Sequence, residues 1–116
     1  MNLKNKRGRK AKYMKDAKSI DVSFTVTKNV TATNGVRTFY VRITSPTGET
    51  VGKSGTFTYE DRSIDYSMRK DVEYSGEELN VITYLHINQF LGCGNYVVSI
   101  FADGNMIGTS TFTYSK

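Results

Sequence analysis

The sequence predicts an all-β chain: an antiparallel β-sandwich of seven or eight short strands behind a basic N-terminal segment. Three observations predict it. From residue 19 onward, apolar residues recur with period two almost everywhere, the alternation of a strand with one buried face. Turn signals interrupt that alternation at roughly 8–15-residue spacing, as in sandwiches and small barrels. Beyond residue 19 no stretch carries the helical period. Apolar strand faces need a second sheet to cover them, so two layers are expected.

Each element follows in order. Ile20, Val22, Phe24 and Val26 alternate with Asp21, Ser23, Thr25 and Thr27, giving the first strand. Asn34-Gly35 marks a turn within 30–36. Phe39, Val41 and Ile43 alternate with Thr38, Tyr40, Arg42 and Thr44 in the second strand. Ser45-Pro46-Thr47-Gly48 follows, with proline setting φ at the second turn position and glycine closing it. Thr50-Val51 and Thr56–Tyr59 read as weaker strands broken by Gly52 and Gly55. Ile64, Tyr66 and Met68 alternate next. Val72 and Tyr74 continue the pattern with Asp71 and Glu73 outward, and Ser75-Gly76 turns the chain. Leu79, Val81, Thr83, Leu85 and Ile87 line one strand face, with Ile82, Tyr84 and His86 on the other. Tyr96, Val98, Ile100 and Ala102 form the inner face of the next strand. Asp103-Gly104 is the strongest hairpin signal, and the returning strand runs from about Met106 to Tyr114 with Gly108 marking a bulge or a close approach.

Composition bounds the rest. The chain has 116 residues, 38% hydrophobic and 23% charged, with one proline. A chain of this size buries roughly two thirds of its unfolded surface, enough for a core without covalent staples. Cys93 is the only cysteine, so an intrachain disulfide is impossible. No stretch approaches the ~20 apolar residues of a membrane helix. A membrane-spanning helix, a disulfide scaffold and a multidomain enzyme are excluded.

The net charge of +5 is unevenly placed. Residues 1–18 hold Lys4, Lys6, Arg7, Arg9, Lys10, Lys12, Lys15 and Lys18 against one acid, Asp16; the rest of the chain holds eight bases and ten acids. The division is therefore residues 1–18, a basic segment or linker, flexible or helical, and residues 19–116, the sandwich. Such a segment grips phosphates or an anionic surface, keeps a protein soluble, or ends a longer charged helix. It lacks the apolar run and cleavage site of a signal peptide. Leu3, Ala11, Tyr13, Met14 and Ala17 are too few and too scattered for a membrane-surface helix.

One local pattern favours an immunoglobulin-like, fibronectin-like sandwich. In Gly92-Cys93-Gly94-Asn95-Tyr96, the tyrosine opens the penultimate strand, where such sandwiches carry a tyrosine whose hydroxyl bonds back across the preceding turn. Val98 stands where a disulfide-bonded domain has cysteine, and the chain has no tryptophan, which excludes the antibody type. Further residues extend the likeness: Val22–Asn29, Phe39–Gly48, Phe57-Thr58-Tyr59 with Ile64–Ser67 and Val72-Glu73-Tyr74, and Gly94–Val98 with Phe101–Gly104 and Ile107-Gly108. Over Ile20–Phe112 the chain resembles bacterial Ig-like domains at the C-terminal ends of charged coiled-coil envelope proteins. The resemblance implies that residues 1–18 connect to a helical region, and that the compartment is envelope or periplasm if the chain is part of a longer protein. If Met1 is the native start, the chain is a lone cytoplasmic domain with a basic leader.

Catalytic chemistry is not expected. His86 and Cys93 are the only strong soft-metal ligands, and zinc takes three or four. Cys93 has no cation beside it in sequence to lower its pKa. The acids at Glu60-Asp61, Asp65, Asp71, Glu73 and Glu77-Glu78 form no EF-hand loop, and several neighbour Arg62, Arg69 and Lys70. No P-loop, dinucleotide fingerprint or nucleophile elbow occurs. Tyr40, Tyr84 and Phe101 fall on strand faces opposite the expected core, and form a partner surface if exposed together.

The expectation is a non-enzymatic accessory module, without cofactor, mediating protein–protein contacts or self-association in the cell envelope, with residues 19–116 folding alone. The alternative is a small nucleic-acid-associated protein gripping phosphates through Lys4, Lys6, Arg7, Arg9, Lys10 and Lys12. A calcium- or carbohydrate-binding sandwich ranks third, and a small-molecule ligand is not expected.

Overall fold

A computed structural model describes residues 1–26, 35–75, 77–87, 89, 91–102 and 105–114. Among these the chain is all-β, with antiparallel pairing throughout. The strands are β1 (Asn2–Lys4), β2 (Ser19–Val26), β3 (Gly35–Thr44), β4 (Gly55–Tyr59), β5 (Arg62–Tyr66), β6 (Met68–Tyr74), β7 (Leu79–His86), β8 (Gly94–Ala102) and β9 (Asn105–Tyr114). One sheet has the order β1-β2-β7, a second β6-β3-β8-β9, and β4-β5 form a separate ribbon.

The two larger sheets close on one core. Ile20 and Val22 of β2 and Leu85 of β7 cluster with Val41 and Ile43 of β3, Met68 of β6, and Tyr96 and Val98 of β8. The polar residues between them point outward, so the period-two reading of β2 and β7 is observed directly. Val81, Thr83 and Leu85 are buried, while Ile82, Tyr84 and His86 are exposed. Thr83 is accommodated because its hydroxyl donates to the Val22 carbonyl at 3.0 Å.

The basic segment departs from expectation. It is not an α-helix: it contributes β1, an isolated antiparallel bridge between Lys4 and Lys10, and one 3₁₀ turn at Met14–Asp16. Leu3, Ala11, Met14 and Ala17 are buried in the same core as the two sheets. Burying their apolar surface is what holds the segment down, at roughly 25 cal/mol per Å².

A third layer is also present. β4 and β5 lie outside the four-stranded sheet and cover its outer face with aromatic rings. Phe57 stacks on Tyr40 with centroids 4.4 Å apart, and Phe101 lies 5.0 Å from Phe57 and 4.9 Å from Tyr59. The expected run Ile64, Tyr66, Met68 is therefore split. Ser67 is a buried corner: its Oγ accepts the Ile43 N–H at 3.0 Å and its N–H donates to Val41 at 2.8 Å. Tyr66 before it joins the outer aromatic layer, 5.1 Å from Tyr40, and Met68 after it joins the core. Thr50-Val51 is no strand. Thr50 makes one bridge to Thr44, and Val51 is a buried plug.

The Ser45–Gly48 turn closes with Gly48 N–H donating to Ser45 at 2.9 Å. Of the two readings of Gly108, the bulge is present beside it: Ile100 pairs with Gly108 and Phe101 with Met106, so Ile107 is the extra residue. Asn34, Gly76 and Asp103-Gly104 lie outside the described residues, although Ala102 and Asn105 on either side of the last turn are paired.

At the start of β8, the fully buried Tyr96 donates its hydroxyl to the Gly92 carbonyl at 2.6 Å. Gly94 between them has φ +130°, and a Cβ there would sit 2.7 Å from the Pro46 ring. Burial, and then Cys93 and Tyr114, push the Tyr96 phenol above its ordinary value of about 10. Burial raises Tyr114 in the same direction. An acid whose folded pKa is raised contributes stability below its unfolded pKa and loses it as pH climbs through the folded value. The melting temperature is therefore expected to hold to about pH 10 and fall above it. Tyr96→Phe is expected to lower the stability below about pH 10 by about 1–3 kcal/mol, through the unsatisfied Gly92 carbonyl, with a lower melting temperature there and a flatter alkaline limb. Thermal melts across pH 8–12 check both; an unchanged limb in Tyr96→Phe would assign it elsewhere.

Candidate functional site

The residues that project from the N-terminal segment form one built feature. Backbone pairing of residues 3 and 4 with 10 and 11 leaves residues 5–9 as a closed loop. The Ala11 N–H donates to Leu3 at 2.9 Å and the Asn5 N–H to Arg9 at 2.8 Å. Inside the loop the Gly8 N–H returns to the Asn5 carbonyl at 2.9 Å. The Asn5 side-chain oxygen accepts both the Arg7 N–H at 2.9 Å and the Arg9 N–H at 3.1 Å. Gly8 has φ +76°, a left-handed conformation that glycine adopts without strain. Asparagine at the first turn position and glycine at the fourth is the chemistry such turns favour. From outside, the Lys18 N–H donates to Lys4 at 2.7 Å. Leu3 and Ala11, buried at the loop's two stems, fix it to the core.

Apart from Asn5, the polar side chains of the loop and its stems, residues 4–12, all carry positive charge. Lys6, Arg7, Arg9, Lys10 and Lys12 are exposed, and Lys4 is half-buried. Lys4 and Lys10 sit directly opposite each other in their bridge, a like-charge cross-strand pair. Such a pair is destabilising, by about 0.2–1 kcal/mol relative to a neutral one. Tyr13 continues the surface, with the ammonium groups of Lys12 and Lys15 at 5.4 and 5.7 Å from its ring centroid. Ion pairs among the described residues include Lys53–Asp65, Arg62–Glu60 and Arg69–Asp71, all remote in sequence from the loop. None of these pairs involves a cation of the loop.

The aromatic triplet is not brought together. Tyr40 and Phe101 lie under β4 and β5, and Phe101 is only 3% exposed. Tyr84 is 68% exposed, but on the other sheet, in β7. His86 is exposed at the end of β7 and Cys93 is exposed in the loop before β8. Among the described residues no three potential ligands from histidine, cysteine and the acids gather as a metal site, and no helix is long and apolar enough to cross a membrane.

Sequence reasoning named the six cations but not their scaffold. The available signal was Asn5-Lys6-Arg7-Gly8, which has the same first and fourth turn chemistry as Ser45-Pro46-Thr47-Gly48.

The model of a family described as Domain of unknown function (DUF8428) matches residues 1–115, so the match takes in the basic segment together with the sheets. Among curated proteins and among solved structures, none matches the chain.

Proposed function

The chain belongs to that family, whose description assigns no activity, and on the geometry we propose that it is a non-enzymatic binding module gripping the phosphate backbone of nucleic acid through the loop of residues 4–12. The observation that carries this reading is the loop itself: six cations on a scaffold closed by Asn5 and Gly8, with two of them held face to face. A solvating leader needs no such scaffold, and a linker needs no buried anchors. Arginine forks at Arg7 and Arg9 match phosphate oxygens bidentately. The tip, Lys6-Arg7-Gly8-Arg9, has no apolar side chain to insert into a bilayer, which disfavours a membrane surface.

The test is titration of a short labelled nucleic acid across ionic strength. Contacts to six phosphates give a slope of log affinity against log salt of about −4 on a single strand and about −5.4 on a duplex. Replacing Lys6, Arg7, Arg9 and Lys10 by glutamine is expected to cut that slope by more than half. It is also expected to raise the melting temperature slightly at low salt, because the like-charge pair is relieved. A salt-independent affinity, or one untouched by the four replacements, would sink the reading.

A second reading keeps the module for protein contacts, in the envelope setting that the sequence resemblance implies. It is favoured by β9, whose ten residues carry no charge and whose outer edge ends the four-stranded sheet among the described residues. An uncharged open edge suits strand addition by a partner. We also read the fold as immunoglobulin-like, with the Tyr96–Gly92 bond as its support.

A further inference from the structure

A cleft of about 380 Å³ opens beside the basic loop, between its stems and the end of β9. Its volume lies in the ~300–1,000 Å³ range of ligand clefts. It is lined by Met1, Asn2, Leu3, Lys10, Ala11, Lys12 and Tyr114. Leu3 and Ala11 are buried and give it an apolar floor. Tyr114, half-buried and packed edge-on against Tyr96 at 5.9 Å, supplies an aromatic wall on a rigid support. Asn2 is exposed and offers an amide donor and acceptor. Lys10 and Lys12 bring two of the loop's cations to the rim.

From this juxtaposition we infer that the cleft takes an unpaired base of a single-stranded nucleic acid while the loop holds the phosphates on either side of it. The inference rests on the phosphate-binding reading and narrows its substrate class. The charge on the rim selects an anionic occupant, and the floor and ring select one with a flat apolar body. Phosphates joined to bases have both. In a duplex the bases are stacked and paired, so the same contact would first require unstacking. Single strands offer their faces freely, and stacking on an aromatic side chain is sequence-tolerant. The loop alone would bind duplex and single strand alike; the cleft adds the preference.

The full chain is titrated with labelled single-stranded DNA, single-stranded RNA and a hairpin duplex of the same sequence, with inorganic polyphosphate as competitor. Both single strands are expected to bind roughly tenfold more tightly than the duplex, the scale of one stacked base. Tyr114→Phe is expected to keep that preference and Tyr114→Ala to abolish it, while polyphosphate competition stays unchanged. Because Tyr114→Ala also removes a contact to Tyr96, a second measurement uses the unaltered chain. A bromouracil-containing strand is photo-cross-linked and the attachment site read by mass spectrometry, with Tyr114 or the stems at 1–3 and 10–12 expected. Equal affinity for duplex and single strands, or cross-links confined to the loop tip, overturns the cleft and leaves the phosphate-binding reading standing. No binding of any of these polyanions overturns both.

Discussion

Deleting residues 1–18 is expected to abolish the cooperative thermal transition of the remaining chain. The segment places Leu3, Ala11, Met14 and Ala17 in the shared core, with Leu3 and Met14 each 2% exposed. Truncating one such leucine or methionine to alanine costs about 2–5 kcal/mol. Removing both, together with the β1–β2 pairing, reaches the ~5–15 kcal/mol total stability of an ordinary domain. It would also leave Ile20 and its neighbours open to water, and the Ile87 N–H would lose the Lys18 carbonyl it now meets at 2.8 Å. Met14→Ala provides the graded version: a folded chain with its unfolding free energy lowered by about 2–5 kcal/mol. Circular dichroism melts of the deletion and the point variant decide the matter. If residues 19–116 melt as the whole chain does, the segment is an appendage after all, and the loop loses the rigidity on which phosphate binding depends. For the same reason, deletion is a poor test of binding: it would remove the fold along with the cations, whereas the four glutamine replacements leave Leu3 and Ala11 in place.

What the sequence made legible depends on how each strand is covered. β7 has one solvated face, so Val81, Thr83 and Leu85 against Ile82, Tyr84 and His86 spell out the inner face directly. Thr83 fits that face only because it finds the Val22 carbonyl. β3 and β8 are covered on both sides where β4 and β5 lie over them. Apolar residues then occur on both faces, Phe39 and Val41 inward and Tyr40 outward, and alternation no longer tells core from surface. The corner at Ser67 hides for a related reason. A one-residue change of layer keeps the apolar period through Tyr66 and Met68 while sending the two rings of packing to different places. In the N-terminal segment, four buried residues are spaced by the loop and the 3₁₀ turn rather than by a helix or a long strand. Leu3, Ala11, Met14 and Ala17 therefore carry no period, and their charged neighbours dominate any reading by composition. The cations were visible as residues, but the hydrogen bonds that turn them into a surface were not.

The aromatic layer gives the second large effect. Phe101→Ala is expected to destabilise the chain by about 3–5 kcal/mol, whereas Tyr84→Ala changes stability by less than about 0.5 kcal/mol. The two residues looked equivalent as outward-facing aromatics on neighbouring strands of the sequence. Phe101 packs against both Phe57 at 5.0 Å and Tyr59 at 4.9 Å, so its removal opens a cavity between the sheet and the ribbon. The ribbon's other links include the Tyr40 stack and, beside the Ser67 corner, the Ser54 hydroxyl donating to the Ser67 carbonyl at 3.0 Å. Phe101→Ala should therefore loosen β4 and β5 selectively, seen as faster amide exchange across 55–66 than across β2 and β7. Tyr84 stands on an open sheet face, where its replacement leaves no void. If it weakens binding to another protein without moving the melting temperature, it belongs to a partner surface by itself. If Phe101→Ala proves as harmless as Tyr84→Ala, the ribbon does not rest on the sheet, and Tyr40 and Phe101 return to being a candidate surface shared with solvent.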